Sequence, residues 1–325
     1  MCTLVGTGQL GFNGDGLPAA DTWLYFPTAL REDPDGRLVV VDFNNMRVRA
    51  LQDDGTITTL VGNGQHAWST PGAGPLETAL ENPIDAVWGQ DGTLYILPIH
   101  ESRVLMVNPD GTVEPCIGTG EQGYAGDGGD AQTAQISESA GLAVGGDAIY
   151  VADTQNNVIR VVRAGVISTL AGGAEAGFVD GVGAAARFSG PQRLSLEDET
   201  LYVADANNHA IRAIDVRTGD VTTVAGTGVA GYDGDGGDAR RAALTWPQGV
   251  TAVEGVLWIA DSGNNVVRVV HDGTIETWAG TGREGYSGDG GDPVSATFAV
   301  PAHVLVRDDG VFVADMKNGA VRVVR

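Results

Sequence analysis

Short apolar runs of five or six residues, each closed by Gly, Asn or Asp, recur from one end of this 325-residue chain to the other. YVADTQNNVIRVV at Tyr150–Val162 is repeated as YVADANNHAIRAI at Tyr202–Ile214 and as WIADSGNNVVRVV at Trp258–Val270. The Asp of this stretch recurs at Asp42, Asp153, Asp205, Asp261 and Asp315, and LYILPIHESRVLMV at Leu94–Val107 is a sixth copy with Pro98 in its place. Successive copies lie 52 to 56 residues apart, which defines six units. Each unit carries four runs rich in Val, Ile, Tyr and Thr, and none has helical periodicity. Asp-Gly pairs such as Asp54-Gly55, Asp110-Gly111 and Asp272-Gly273 mark hairpins between the runs.

Four antiparallel strands per unit, repeated radially, predict an all-β, six-bladed β-propeller formed by residues 1–325 as a single domain. The ends support closure of the ring. The last unit stops after its third strand, AVRVVR at Ala320–Arg325, whereas CTLVGTG at Cys2–Gly8 matches the fourth strands STLAGG and TTVAGTG. The N-terminal strand is therefore expected to complete the C-terminal blade and leave no open edge.

The pattern Asp-x-x-Asn-x-x-x-Arg is complete in five units: Asp42/Asn45/Arg49, Asp153/Asn156/Arg160, Asp205/Asn208/Arg212, Asp261/Asn264/Arg268 and Asp315/Asn318/Arg322. A catalytic set is needed once, not five times around a ring. The Asp and Arg are expected to face each other across a strand pair, with Asn in the left-handed turn between them. The GDGGD linkers place Asp127/Asp130, Asp235/Asp238 and Asp289/Asp292 in Gly-rich loops. Asp closing turns on its own backbone is the simpler reading, and calcium is the alternative, since the EF-hand ligand spacing is missing.

These features resemble the NHL-repeat family over essentially the whole chain. DANNHAIR at Asp205–Arg212 carries the Asn-His of the repeat. GYAGDGGDAQTAQI, GYDGDGGDARRAAL, GYSGDGGDPVSATF and GFVDGVGAAARFSGP (Gly177–Pro191) resemble linkers of bacterial members. The resemblance implies a six-bladed propeller used mostly as a binding platform, with a minority of enzymes among its relatives. Amidating lyases of similar fold carry zinc-binding His directly after the inner-strand Pro. The matching positions here are Thr28, Ile84, Ala140, Gln192, Gln248 and Ala302, none of them His, so that activity is not supported.

Charge narrows the partners. Nineteen basic against 42 acidic residues give −23, without the basic footprint that a phosphate backbone or an anionic membrane would require. There is neither an apolar run of 18 residues nor a signal-peptide pattern, so the chain is expected to be soluble, cytoplasmic or a trimmed secreted form. A monomer is expected. Cys2 and Cys116 sit in equivalent positions of different units and are expected to be buried, unpaired thiols.

Function is sought where one unit departs from the others. After the inner-strand Pro, the third position reads Ala29, Asp85, Gly141, Arg193, Gly249 and His303 around the ring. Asp85, Arg193 and His303 therefore converge on the channel mouth, with Gln192, Gln248, Glu138, Tyr25 and Trp246 near the same level. Arg193 would hold an anionic group of a small molecule and Asp85 and His303 would hydrogen-bond it. The alternative is a hydrolase or lyase with His303 as general base or acid, Asp85 orienting it or binding metal, and Arg193 beside them. The plain alternative is that the three pair with one another and plug the channel. Unit two departs too: Pro98, Glu101 and Leu105 replace Asp, Asn and Arg, and the linker gains His66 and Trp68, with His100 following Pro98. His66, His100 and Asp85 are expected on one rim, with zinc as the metal such a set would hold. The rim aromatics Trp23, Tyr25, Phe26, Trp68 and Trp246 would either line a pocket or form a patch for a protein partner.

Overall fold

A computed structural model describes residues 1–173 and 175–325. Each predicted run is a strand, and the strands form six antiparallel sheets around one axis. In unit one the order from axis to edge is Pro27–Glu32, Leu38–Asp42, Arg47–Leu51 and Thr56–Val61. Cys2–Val5 pairs with Ala320–Val324, with Cys2 opposite Val323, and completes the sixth blade as the sequence predicts. Three blades gain a fifth, two-residue strand from the linker, as Leu17–Pro18 does against Ile57 and Thr56. Each linker thus crosses the outer edge of the blade it enters.

Burial explains the composition of the strands. Leu38–Asp42 is buried at every position because both faces of a blade lie against neighbouring blades. The apolar core accordingly divides into clusters that each straddle two consecutive blades. Ala29, Val39 and Val48 of blade one, for example, pack with Leu80, Ile96 and Leu105 of blade two.

The repeated polar residues bind each linker to its blade. The Asp205 carboxylate accepts the Ser189 N–H at 2.7 Å, the Asn208 amide at 2.8 Å and the Arg212 guanidinium at 2.8 Å. Arg212 also donates to linker Asp180 at 2.6 Å and lies 5.0 Å from the Phe178 ring centroid. The same set recurs at Asp42/Arg49/Asp15, Asp153/Arg160/Asp127, Asp261/Arg268/Asp235 and Asp315/Arg322/Asp289. All five guanidiniums are fully buried. This resolves the GDGGD linkers: Asp127, Asp235 and Asp289 are held by arginines. Asp130, Asp238 and Asp292 cap 3-10 turns by accepting the N–H groups of Gln132, Arg240 and Val294.

Two expectations are corrected. The Asn of the motif is not the left-handed residue. It ends a 3-10 turn and bridges the Asp to a linker carbonyl, as Asn208 does to Gly177 at 2.7 Å, while the next residue, His209, has φ 52°. Cys116 is half-buried, its thiol pushed up to about 12 by burial, whereas Cys2 is exposed. Both lie on outer strands, but Cys2 is four residues before Gly6 and Cys116 only two before Gly118, so their positions are not equivalent.

Burial also pushes the Asp205 carboxyl up to about 6, opposed by its hydrogen bonds and by Arg212. Between the unfolded value near 3.8 and about 6 the folded chain then holds a proton that the unfolded chain releases. Chemical denaturation across this range should show wild-type stability falling relative to Asp205→Asn as pH rises from about 4 to about 6, then levelling. A wild-type gain over the same window would show that the Arg212 charge outweighs burial.

Candidate functional site

Asp85, Arg193 and His303 do meet at the axis, but they close on one another. Exposure is 0% for Asp85, 4% for Arg193 and 1% for His303. Arg193 reaches across the channel from blade four, donating to Thr28 O of blade one and Ala140 O of blade three, both at 2.7 Å. Its Nη1 is 3.6 Å from Asp85 Oδ2. The residue that binds the set together is Arg31, two positions beyond the ring compared in the sequence. Its Nη2 donates to both Asp85 oxygens, at 2.8 and 2.9 Å, its Nε to Ala86 O at 3.0 Å, and its Nη1 lies 3.1 Å from His303 Nε2. The fifth inner-strand positions, Arg31, Val87, Ala143, Ser195, Thr251 and Leu305, contain one charge, so the same comparison made two residues along finds it.

Asp85 also accepts the Ala86 and Leu142 N–H groups, at 2.9 and 3.1 Å. His303 Nδ1 lies 3.3 Å from the Leu30 N–H. A neutral imidazole accepts at only one nitrogen, so only one of its two contacts is a hydrogen bond. Burial, then Arg31 and Arg193, push its pKa well below the usual histidine value. The cluster is a polar crosspiece spanning blades one, two, three, four and six. Of the arrangements expected from the sequence, this geometry is that of the plug: the three side chains are buried and tied together and are not free at the mouth.

Above the crosspiece the six blades share an unusual backbone feature. The residue before each inner-strand Pro, or before Ser139 in blade three, has a positive φ: Phe26 (60°), Asn82 (55°), Glu138 (42°), Gly190 (60°), Trp246 (47°) and Val300 (55°). Five are not glycine, and a β-branched residue such as Val300 is strained in this region. Clasps from the preceding blade hold several of them. His209 Nδ1 accepts the Trp246 N–H at 3.0 Å, Asn157 Oδ1 that of Gly190 at 3.0 Å and Asn265 Oδ1 that of Val300 at 2.9 Å. The histidine of the repeat is thereby a clasp between blades. Tyr25 stacks edge-on against Phe26 with ring centroids 5.0 Å apart. Trp246 is exposed, while Gln192, Gln248, Glu138 and Tyr25 are half-buried. The Gln248 carbonyl oxygen is buried without a hydrogen-bond partner among the described residues.

In blade two the predicted residues separate into two groups. Glu101 is fully buried and replaces the missing fastener, accepting the Ser69 N–H at 2.7 Å and hydroxyl at 2.8 Å. Trp68 lies beneath the Arg103 guanidinium at 5.2 Å, as Phe178 lies near Arg212. His66 and His100 do share a rim, but their carboxylate neighbour is Glu81 and not Asp85, which is held at the axis. No helix among the described residues is long and apolar enough to cross a membrane.

No protein-family model matches the chain. NHL repeat-containing protein 2 of Bos taurus is 32% identical over 203 residues, covering 54% of this chain and 28% of that protein. The chain thus matches under a third of the length of that relative. Among solved structures, an auxiliary nutrient binding protein from Bacteroides thetaiotaomicron superposes with a TM-score of 0.71 at 14% identity, over 99% of this chain and 75% of that one. A streptogramin B lyase gives 0.58 at 13% identity, over 94% and 95%. At these identities the structural matches speak to the fold.

If the crosspiece is structural, Arg31→Met leaves buried Asp85 with Arg193, 3.6 Å away, as its remaining cation and should lower unfolding free energy by roughly 3–5 kcal/mol. Urea denaturation reads this directly. A loss below about 1 kcal/mol, within the range of an exposed ion pair, would show that the crosspiece does not support the ring.

Proposed function

Because this chain is a six-bladed β-propeller of the NHL-repeat kind, we propose that it is a binding module that takes a small molecule over the mouth of its channel, on the linker-bearing face. The ring of positive-φ residues carries the proposal. Glycine would fill all six positions with least strain, yet five carry Phe, Asn, Glu, Trp and Val. The backbone there is common to all blades while the side chains are chemically unlike, as a recognition surface on a fixed frame requires. Phe26 and Trp246 offer aromatic faces and Glu138 a carboxylate. Asp85, Arg193 and His303 serve as the polar floor of this site, fixing its depth without reacting. One neighbour of similar fold is described as a nutrient binding protein and another as a nidogen/laminin complex, so the choice of a small molecule rests on the rim residues.

A thermal-shift panel of small organic acids, sugars and nucleosides tests the reading. A compound that raises the melting temperature of the wild type should raise that of the Trp246→Ala/Glu138→Gln double variant far less. The ligand-free melting temperatures should stay close, because both side chains leave the core untouched. A shift that survives this pair of substitutions undiminished would put the binding surface elsewhere.

A further inference from the structure

Blade two carries a cluster that its broken fastener makes available. In five blades an Asp accepts the N–H two residues before the inner-strand Pro position, as Asp153 does for Ser137 and Asp261 for Thr245. In blade two Pro98 stands at that Asp position, and the corresponding residue is Glu81. The Glu81 carboxylate faces two imidazoles. Its Oε1 is 2.9 Å from His66 Nε2 and 4.0 Å from His100 Nδ1, and the three ligand atoms lie within 4.8 Å of one another. They come from the middle of the linker, its last turn and the 3-10 turn Ile99–Glu101. Among the described residues this is the group of His, Cys and carboxylate side chains that converges so closely.

We propose that His66, Glu81 and His100 form a site for a divalent transition-metal ion of the zinc class on the rim of blade two. The donor set decides the class. Two imidazole nitrogens and one carboxylate oxygen suit zinc, whereas calcium takes oxygen ligands. Zinc bonds of about 2.0–2.2 Å place tetrahedral ligands roughly 3.3 Å apart. Small rotations of half-exposed rings bring separations of 2.9 Å and 4.0 Å to that value. Asn82 Oδ1 lies 2.7 Å from His66 Nε2. The Asn82 amide nitrogen donates to Asn44 Oδ1 at 3.1 Å, which turns that oxygen toward His66. The two histidine side chains are 55% and 47% exposed, so a fourth coordination position faces solvent. Hydrogen bonds to Glu81 and Asn82 account for His66 but not for His100, whose Nδ1 is 4.0 Å from Glu81 and beyond bonding distance. The site is independent of a ligand at the channel mouth, although Asn82 belongs to both.

The test is calorimetric titration of tag-free, EDTA-stripped full chain with zinc chloride in roughly 0.5 M sodium chloride, which screens the diffuse attraction of an acidic surface. One saturable site per chain is expected. His66→Ala, His100→Ala and the near-isosteric Glu81→Gln should each weaken it at least roughly tenfold. Their melting temperatures without metal should stay near that of the wild type. His271→Ala, an exposed histidine at Asp272 in a hairpin turn of another blade, should leave zinc affinity unchanged. Absence of a saturable site, or wild-type affinity in His66→Ala/His100→Ala, would overturn the proposal.

Discussion

A buried guanidinium without partners destabilises the blade that holds it, and this chain buries five at equivalent places. All five are partnered through their two terminal nitrogens, while Nε of Arg49, Arg160, Arg212 and Arg268 has no hydrogen-bond partner among the described residues. Each is met by a strand carboxylate, a linker carboxylate, a carbonyl and an aromatic ring, as Arg212 is by Asp205, Asp180, Val179 and Phe178. Three of those partners, Phe178, Val179 and Asp180, lie on the linker. The constraint therefore reaches beyond one hairpin: satisfying the arginine pins the linker over the outer edge of its blade. It also fixes the N–H from which the next inner strand begins. The positive-φ residues around the mouth follow directly after that N–H, so the rim inherits its geometry from the fasteners.

Blade two shows what the constraint does by lacking it. With Pro98 and Leu105 in place of Asp and Arg, the linker is held instead by Glu101 through Ser69. That substitute grips the linker earlier and leaves Glu81 at the rim with His66 and His100. The axis shows a different use of charge. There Arg31 and Arg193 tie Asp85 and backbone carbonyls of several blades into one crosspiece, which closes the channel that ring geometry would otherwise leave open.

The architecture was legible because it is written six times. Strand count, ring closure by Cys2–Val5 and the structural role of the Asp–Asn–Arg set all follow from comparing copies. The convergence of Asp85, Arg193 and His303 was legible for the same reason, but not their closure. Closure depends on Arg31, one residue on a strand otherwise like the rest, and on how far two guanidiniums reach across the axis. The positive φ values before the inner strands had no sequence signature, because Phe26, Trp246 and Val300 occupy a conformation that favours glycine. Glu81 was likewise hidden, an ordinary linker acid until the turn carrying His100 is laid beside it.

The central claim is that the fasteners set the rim and that blade two alone is released from them. Native-state hydrogen exchange of the N–H two residues before each inner-strand Pro position tests it most directly. The Tyr25, Ser137, Ser189, Thr245 and Ala299 N–H groups, each donating to a buried fastener Asp, should exchange only with global unfolding. That of Glu81, with no such acceptor, should exchange orders of magnitude faster. Equal protection at all six, or rapid exchange at the five, would contradict the account.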